Sequence, residues 1–184
     1  MKDEPTLRVI EEREMPADLD LQIRQVLMQC FPNDLAAFGQ TRAWHGSSPS
    51  VTVIARDCSG QVVGHMGLHE RTIDVGDAAV RVAGLQNVCV VPSHRKSGLF
   101  ERLMAATMPE AAERGYDVGL LFCLPALQRV YARVGWVELP GRATTRIDEK
   151  GVECGLPNND VPMFYPLKVR ELPTGDIHLR GNDW

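Results

Sequence analysis

The sequence predicts a mixed α/β (α+β) single domain built around two parallel strands joined by one crossover helix. Three observations carry this reading. Val80–Val91 is a long β-rich run ended by Pro92, and Gly98–Glu113 sets Leu99, Leu103 and Ala106 on one helical stripe. Asp117–Leu124 is a continuous apolar run without alternation, the pattern of a strand covered on both faces. Together they form a βαβ unit from Val82 to Leu124, with parallel strands and a right-handed crossover. The 184 residues suffice for one full core but would be cramped as two, so residues 1–184 are read as one domain.

The other elements follow in order. Asp18–Phe31 places Leu19, Ile23, Val26, Leu27 and Cys30 at helical spacing, and Pro32 stops that helix. Val51–Arg56 and Gln61–Ile73 read as strands joined by the turn Asp57-Cys58-Ser59-Gly60, and Asp74-Val75-Gly76-Asp77 turns the chain into Val80–Val91. Pro109 predicts a kink or an early stop in the Gly98–Glu113 helix, with Gly115 as its C-terminal cap. Leu127–Val134 is a short helix ended by Gly135. Strands at Trp136–Leu139, Arg142–Ile147 and Val161–Val169 complete the series. The last is expected to present an exposed edge, which invites pairing with a second subunit as a homodimer.

Composition removes several classes of function. Apolar residues make up 44% and charged residues 24%, so disorder, collagen and coiled coil are excluded for the whole chain. A net charge of −4 offers no basic field for generic nucleic-acid binding. No apolar run reaches the length of a membrane span, and the N-terminus lacks the apolar stretch of a signal peptide. Five cysteines, an odd number at irregular spacing, read as reduced thiols of a cytoplasmic protein.

Two segments carry chemistry. Pro92-Ser93-His94-Arg95-Lys96-Ser97-Gly98-Leu99-Phe100 lies between a strand and a helix. A helix N-terminus there offers unpaired N–H groups and the positive end of the dipole, and Arg95, Lys96 and Ser97 add donors. Gly98 allows close backbone approach, so the segment suits a phosphate. It is neither a Walker loop nor a dinucleotide fingerprint, and taken alone a solvated turn with two surface cations would look the same. The second segment is Val130-Tyr131-Ala132-Arg133-Val134-Gly135-Trp136. A tyrosine at the end of a short helix can protonate a leaving group if it reaches a cleft; an aromatic there can equally be packing.

The two segments stand in a set order. Val90, Pro92, Arg95, Gly98 and Leu99 are followed by a helix and a strand, and then by Tyr131, Gly135 and Trp136. This resembles the GNAT superfamily of acyl-CoA-dependent N-acyltransferases over Leu7 to Val169. The resemblance implies that Leu85–Val91 splays from Val118–Leu124 and that acetyl-CoA lies in the gap as co-substrate. It implies main-chain contacts to the pantetheine arm near Val88, Cys89 and Val90. The pyrophosphate would sit on Arg95, Lys96, Ser97, Gly98, Leu99 and Phe100, and Tyr131 would act as the general acid. Lys96 and Phe100 depart from the small residues usual at their positions.

A base is also needed to free the acceptor amine. The family often supplies a strand glutamate; here Gln86 and Asn87 stand in that region and can only position a water. His65 and His69, at even spacing on the preceding strand, are the base candidates, with ordinary strand histidines as the alternative. HxxxH on a strand with no third ligand makes no metal site. Cys89 and Cys123 would flank the thioester, but buried thiols are usually inert, which favours direct transfer in a ternary complex.

Two branches resemble the chain more closely. Trp44-x-Gly, Gly64-His65-Met66-Gly67-Leu68 and Val82-Ala83 resemble the nodulation N-acyltransferases. Ile23-Arg24-Gln25, Phe31-x-x-Asp34 and Gly181-Asn182-Asp183-Trp184 resemble the aminoglycoside 2'-N-acetyltransferases. The second likeness implies that a tail of about 170–184 docks at the acceptor side, where Asp34, Asp183 and Trp184 bind a small-molecule amine such as an amino sugar. Two other readings stay open: transfer of a long acyl chain from an acyl carrier protein, and a catalytically silent acyl-CoA sensor.

Overall fold

The computed structural model describes residues 4–157 and 160–184. The chain runs β1 (Thr6–Glu11), α1 (Ala17–Cys30), α2 (Leu35–Phe38), β2 (Val51–Arg56), β3 (Val62–Val75), β4 (Ala78–Val90), α3 (Leu99–Glu113), β5 (Val118–Cys123), α4 (Gln128–Ala132), β6 (Val137–Glu138), β7 (Thr144–Ile147), β8 (Glu153–Gly155), β9 (Val161–Pro166) and β10 (Ile177–His178). It is the mixed α/β domain that the sequence predicts, with one curled sheet. The sheet order is β6-β9-β5-β4-β3-β10-β7-β8, and β2 pairs with both β1 and β3.

Alternation along the central strands gives the sheet two buried faces. Ala83 and Leu85 of β4, with Leu121 and Cys123 of β5, join the core under α1 and α3, which contribute Leu19, Ile23, Leu27, Leu99, Leu103 and Met108. Val80, Val82, Val118 and Leu120 point the other way, where Leu172, Ile177, Leu179 and Trp184 cover them. Segment 170–184 is therefore the second cover of the sheet, and this is why β5 lacks alternation.

The βαβ unit forms as predicted, but its strands part early. β4 and β5 pair in parallel only at Val82–Val118, Ala83–Gly119 and Gly84–Leu120. Beyond Gly84, β4 keeps its antiparallel partner β3, and beyond Leu120, β5 keeps its antiparallel partner β9. The facing edges of β4 and β5 separate into a V.

Two expectations are corrected. Val161–Val169 is not an edge: the strand ends at Pro166 and lies between β5 and β6, so the reason for a homodimer through it falls away. Pro109 does not stop α3, which continues to Glu113 while Met104, Met108 and Ala111 stay buried. Burial of that stripe offsets the carbonyl that Pro109 leaves without its N–H. The pairing of β3 with β4 slips between His65–Cys89 and Gly67–Gln86, with the extra residue on β4. Strands β1, β8 and β10 were not foreseen. β10 is held by pairing on both sides, antiparallel to β3 and parallel to β7, rather than by its two residues' own propensity.

The loop before β2 is fixed by Arg42, only 4% exposed. Its guanidinium donates to Asp20 Oδ1 at 2.6 Å, to Thr52 Oγ1 at 3.2 Å and to Glu12. Burial pushes the Asp20 carboxyl up, but hydrogen bonds from Arg42 and Arg24 outweigh it and hold the group below the usual aspartate value. Its ionised form thus stabilises the fold above about pH 4, and that contribution is lost as pH falls. Arg42→Ala should lower the unfolding free energy by about 3 kcal/mol at pH 7, since it strands carboxylates in a partly buried site. In urea denaturation the gap between variant and wild type should narrow below about pH 4; an equal gap at pH 7 and pH 3 would rule the carboxylates out.

Candidate active site

The V between β4 and β5 opens into a cavity of about 510 Å³. Leu85, Gln86, Asn87 and Val88 form one wall and Leu121, Phe122 and Cys123 the other. Tyr131 lies on it with the α1–α2 connection (Cys30, Asp34), and Asp160, Asp183 and Trp184 close the remaining side.

The β4 wall is shaped by a bulge. Between Gly67–Gln86 and His65–Cys89, β3 advances two residues and β4 three. Asn87 takes up the excess with φ +52°, a left-handed conformation that asparagine tolerates. His65 Nδ1 donates to the Asn87 carbonyl at 2.8 Å, and Asn87 Nδ2 donates to the Arg42 carbonyl at 2.7 Å. Gln86 Nε2 donates to the Ser47 carbonyl at 2.9 Å, while its Oε1 accepts from Trp44 N at 3.3 Å. Both amides line the cavity, yet both are committed to bracing the 42–47 loop.

The histidines stand elsewhere. His65 is fully buried and off the cavity wall, and burial pulls its imidazole down to about 4, so it stays neutral. His69 donates from Nδ1 to the Ser48 carbonyl at 2.7 Å and packs on Trp184 at 5.6 Å. Burial lowers its pKa too. His65 holds the bulge and His69 supports the tail.

Tyr131 is buried, with Phe100 and Trp136 edge-on at 5.7 and 6.2 Å. Burial, and the nearby Cys123 and Cys89 thiols, push its phenol up, so the hydroxyl keeps its proton at neutral pH. Burial also raises Cys123, to about 11. Cys89 is buried and off the wall; the adjacent Cys30 and burial push its thiol up. Cys30 itself, beside Cys89 and Arg95, is drawn down to about 7.

The phosphate-type loop leads away from the end of β4. Arg95 Nε donates to the Val90 carbonyl at 3.0 Å and Ser97 Oγ to the His94 carbonyl at 2.7 Å. Lys96 and Gly98 are left-handed, with φ +61° and +79°. Arg95 to Gly98 are exposed, and among the described residues no acceptor meets the N–H groups of Lys96 to Glu101. Six consecutive N–H groups thus stand at the start of a fifteen-residue helix, a position that favours negative charge.

The acidic side has a member that sequence reasoning missed. Asp183 is 3% exposed, and its Oδ1 is met by His45 Nδ1 at 2.8 Å and Arg146 at 3.1 Å. That contact raises the His45 pKa. Asp160, just before β9, has its Oδ1 buried without a partner among the described residues. Burial and the negative charge of Asp183 push its carboxyl above the usual aspartate value. Nothing local in the sequence marks Asp160, because only the pairing of β9 with β5 brings it to the cavity. Asp34 lies on the same cavity, less deeply.

The arrangement has close parallels. The acetyltransferase (GNAT) domain family matches residues 11–138, and the chain belongs to that family. An uncharacterized N-acetyltransferase of Streptomyces griseus is 39% identical over 62 residues, which is 34% of this chain and 14% of that protein. The chain therefore spans a small part of the length of the curated relatives it matches. Among solved structures, the GNAT family N-acetyltransferase YhbS from Escherichia coli, in complex with CoA, aligns with a TM-score of 0.65 at 21% identity, over 96% of this chain and 90% of that one. Escherichia coli ElaA aligns at 0.62 with 13% identity, over 88% and 99%. A GNAT family acetyltransferase from Staphylococcus aureus Mu50 aligns at 0.58 with 14% identity, over 89% and 100%. At these identities the likeness is one of fold.

Replacing Arg95 by Ala and Lys96 by Gly should leave the melting temperature nearly unchanged, because Gly suits the left-handed φ at 96. CoA binding should weaken by about tenfold, the scale of one charge-assisted hydrogen bond, and by less at high salt. Calorimetric titration of CoA decides this; unchanged affinity would place the pyrophosphate elsewhere.

Proposed function

We propose that this chain is an acyl-CoA-dependent N-acetyltransferase that moves the acetyl group of acetyl-CoA onto a primary amine of a small molecule. The observation that carries the reading is the split of β4 from β5 beyond Gly84 and Leu120, continuous with the donor-rich loop at one end and a tyrosine on its wall. Main-chain groups of Leu85–Val90 on the β5 side are free of strand partners. They can meet the amides of a pantetheine arm and stabilise the oxyanion of a tetrahedral intermediate. The exposed Lys96–Glu101 N–H groups hold the pyrophosphate.

Asp160 takes the proton from the acceptor ammonium, because it has the one buried carboxylate oxygen on the wall without a partner. The freed amine attacks the thioester carbonyl. The C–N bond forms, the C–S bond breaks, and Tyr131 gives its phenolic proton to the leaving sulfur; the attacking nitrogen then sheds its second proton, which restores the phenol. Asp160 titrates above an ordinary aspartate, so it is a better base than a solvated one once ionised. Raised thiol pKa values at Cys89 and Cys123 weigh against an acyl-enzyme and favour direct transfer in a ternary complex. Asp34, Asp160 and Asp183 give the acceptor end a negative field, which suits a cationic amine such as an amino sugar.

Thiol release from acetyl-CoA across a panel of amines, amino sugars included, tests the activity; CoA binding without release from any amine would favour a silent sensor. Tyr131→Phe should lower kcat by about 10²–10⁴-fold with CoA affinity kept. Asp160→Asn should lower kcat/KM by about 10²-fold or more and abolish the acid limb of its pH profile, since only the ionised carboxylate accepts a proton. Turnover near wild type in either variant sinks that residue's assignment.

A further inference from the structure

The vertex of the V is plugged. Gly84 and Leu120 are the last paired residues of β4 and β5, and the indole of Trp184 lies on them. A Cβ on Gly84 would come within 2.6 Å of Trp184 Nε1 and 2.8 Å of its Cδ2. The same Nε1 donates to the Leu120 carbonyl at 3.3 Å. Phe122 packs on the ring at 5.1 Å and His69 at 5.6 Å, and the Arg71 guanidinium sits over it at 5.2 Å. Arg71 is itself tied to the Asn182 carbonyl and, at 3.1 Å, to Ser47 Oγ. Trp184 is 5% exposed, and what it still presents is cavity wall. The ring is held on every side, so its position is fixed.

The direction of the groove gives that plug a meaning, on the reading argued under Proposed function. The pyrophosphate end lies past Val90, so a pantetheine arm runs back along β4 toward lower residue numbers. The acyl group is the far end of the donor and points to the vertex. From Gln86 to Gly84 the strand spans only about 7 Å, and the indole takes part of that depth. We propose that Trp184 is the acyl-length stop of this enzyme: its indole closes the vertex of the β4–β5 split and restricts the donor to acetyl or propionyl thioesters. Transfer of a fatty acyl chain is then excluded by shape rather than by the chemistry of the site.

The test is calorimetric titration of the full chain with CoA and with acetyl-, propionyl-, butyryl-, hexanoyl- and octanoyl-CoA. Wild type should bind the acetyl and propionyl thioesters alike and the hexanoyl and octanoyl thioesters at least about tenfold more weakly, the scale on which a filled pocket rejects extra methylenes. Trp184→Ala should bring the long chains to within about threefold of that variant's own affinity for acetyl-CoA. Trp184→Phe, which keeps an aromatic plug but loses the bond to Leu120, should move the cut-off by fewer carbons. If the alanine variant melts too low to titrate, the phenylalanine variant and the wild-type series still decide. Octanoyl-CoA bound by wild type as tightly as acetyl-CoA overturns the inference, as does an unchanged profile in folded Trp184 variants. Failure of wild type to bind CoA itself instead overturns the reading of the cleft on which the inference rests.

Discussion

The parting of two parallel strands in mid-sheet is the constraint on which the rest of the molecule depends. Strand pairs normally persist, because each unmade ladder bond leaves a polar group that needs another partner. Here β4 and β5 pair for three residues and then diverge, each keeping its outer neighbour. Three features hold them apart. The bulge at Asn87 changes the course of β4 and is pinned by His65 from one side and the Arg42 carbonyl from the other. The Gln86 amide ties the same stretch to the 42–47 loop. Trp184 fills the vertex, which only a glycine at 84 permits. The result is a stretch of β4 main chain that has no strand partner on the β5 side.

The charges around that groove are distributed unevenly. Asp183 is held in place by His45 and Arg146, so it serves as a fixed strut between the tail and the 42–47 loop. Asp160 stands in its field without a cation of its own. One carboxylate is thereby made structural and the other is left reactive, by environment alone. On the far wall the phenol of Tyr131 is kept protonated by the burial that raises the neighbouring thiols. A carboxyl group with a raised pKa and a protonated phenol thus line a single cavity.

Much of the fold was legible in the sequence because its signals are local. The apolar run at Asp117–Leu124, the stripe on Gly98–Glu113 and the donor-rich loop from Arg95 to Phe100 depend on neighbours in the chain, and the structure forms all three. The edge assigned to Val161–Val169 failed because edge status belongs to the partner, and β6 is only two residues long. β10 was invisible for the same reason. The histidines misled because the Nδ1 of each is spent on a backbone carbonyl, a commitment that spacing along a strand does not reveal. Asp160 was missed because it reaches the site only through the pairing of a strand that follows it.

The absence of a carboxylate on β4 has a structural cause. Gln86 Nε2 donates to the Ser47 carbonyl, and its Oε1 accepts from Trp44 N. A glutamate at 86 would turn a carboxylate oxygen toward the Ser47 carbonyl, setting acceptor against acceptor in a residue that is 2% exposed. That stretch also carries the Trp44 ring against Phe38 and the Ser47 hydroxyl against the Asp183 carbonyl, so loosening it would release the tail. An amide at 86 is therefore required by the loop, whatever the chemistry requires. A proton acceptor for this cavity must come from another element, and β9, paired to β5 along its whole length, is placed to deliver one at its start. Position 160 lies where β9 begins, outside the hydrogen-bonded register, and a carboxylate there disturbs no ladder. Packing thus sets the placement: β4 spends its polar side chains on holding the bulge and the 42–47 loop, and the carboxyl group on this wall stands at the start of the strand beyond β5.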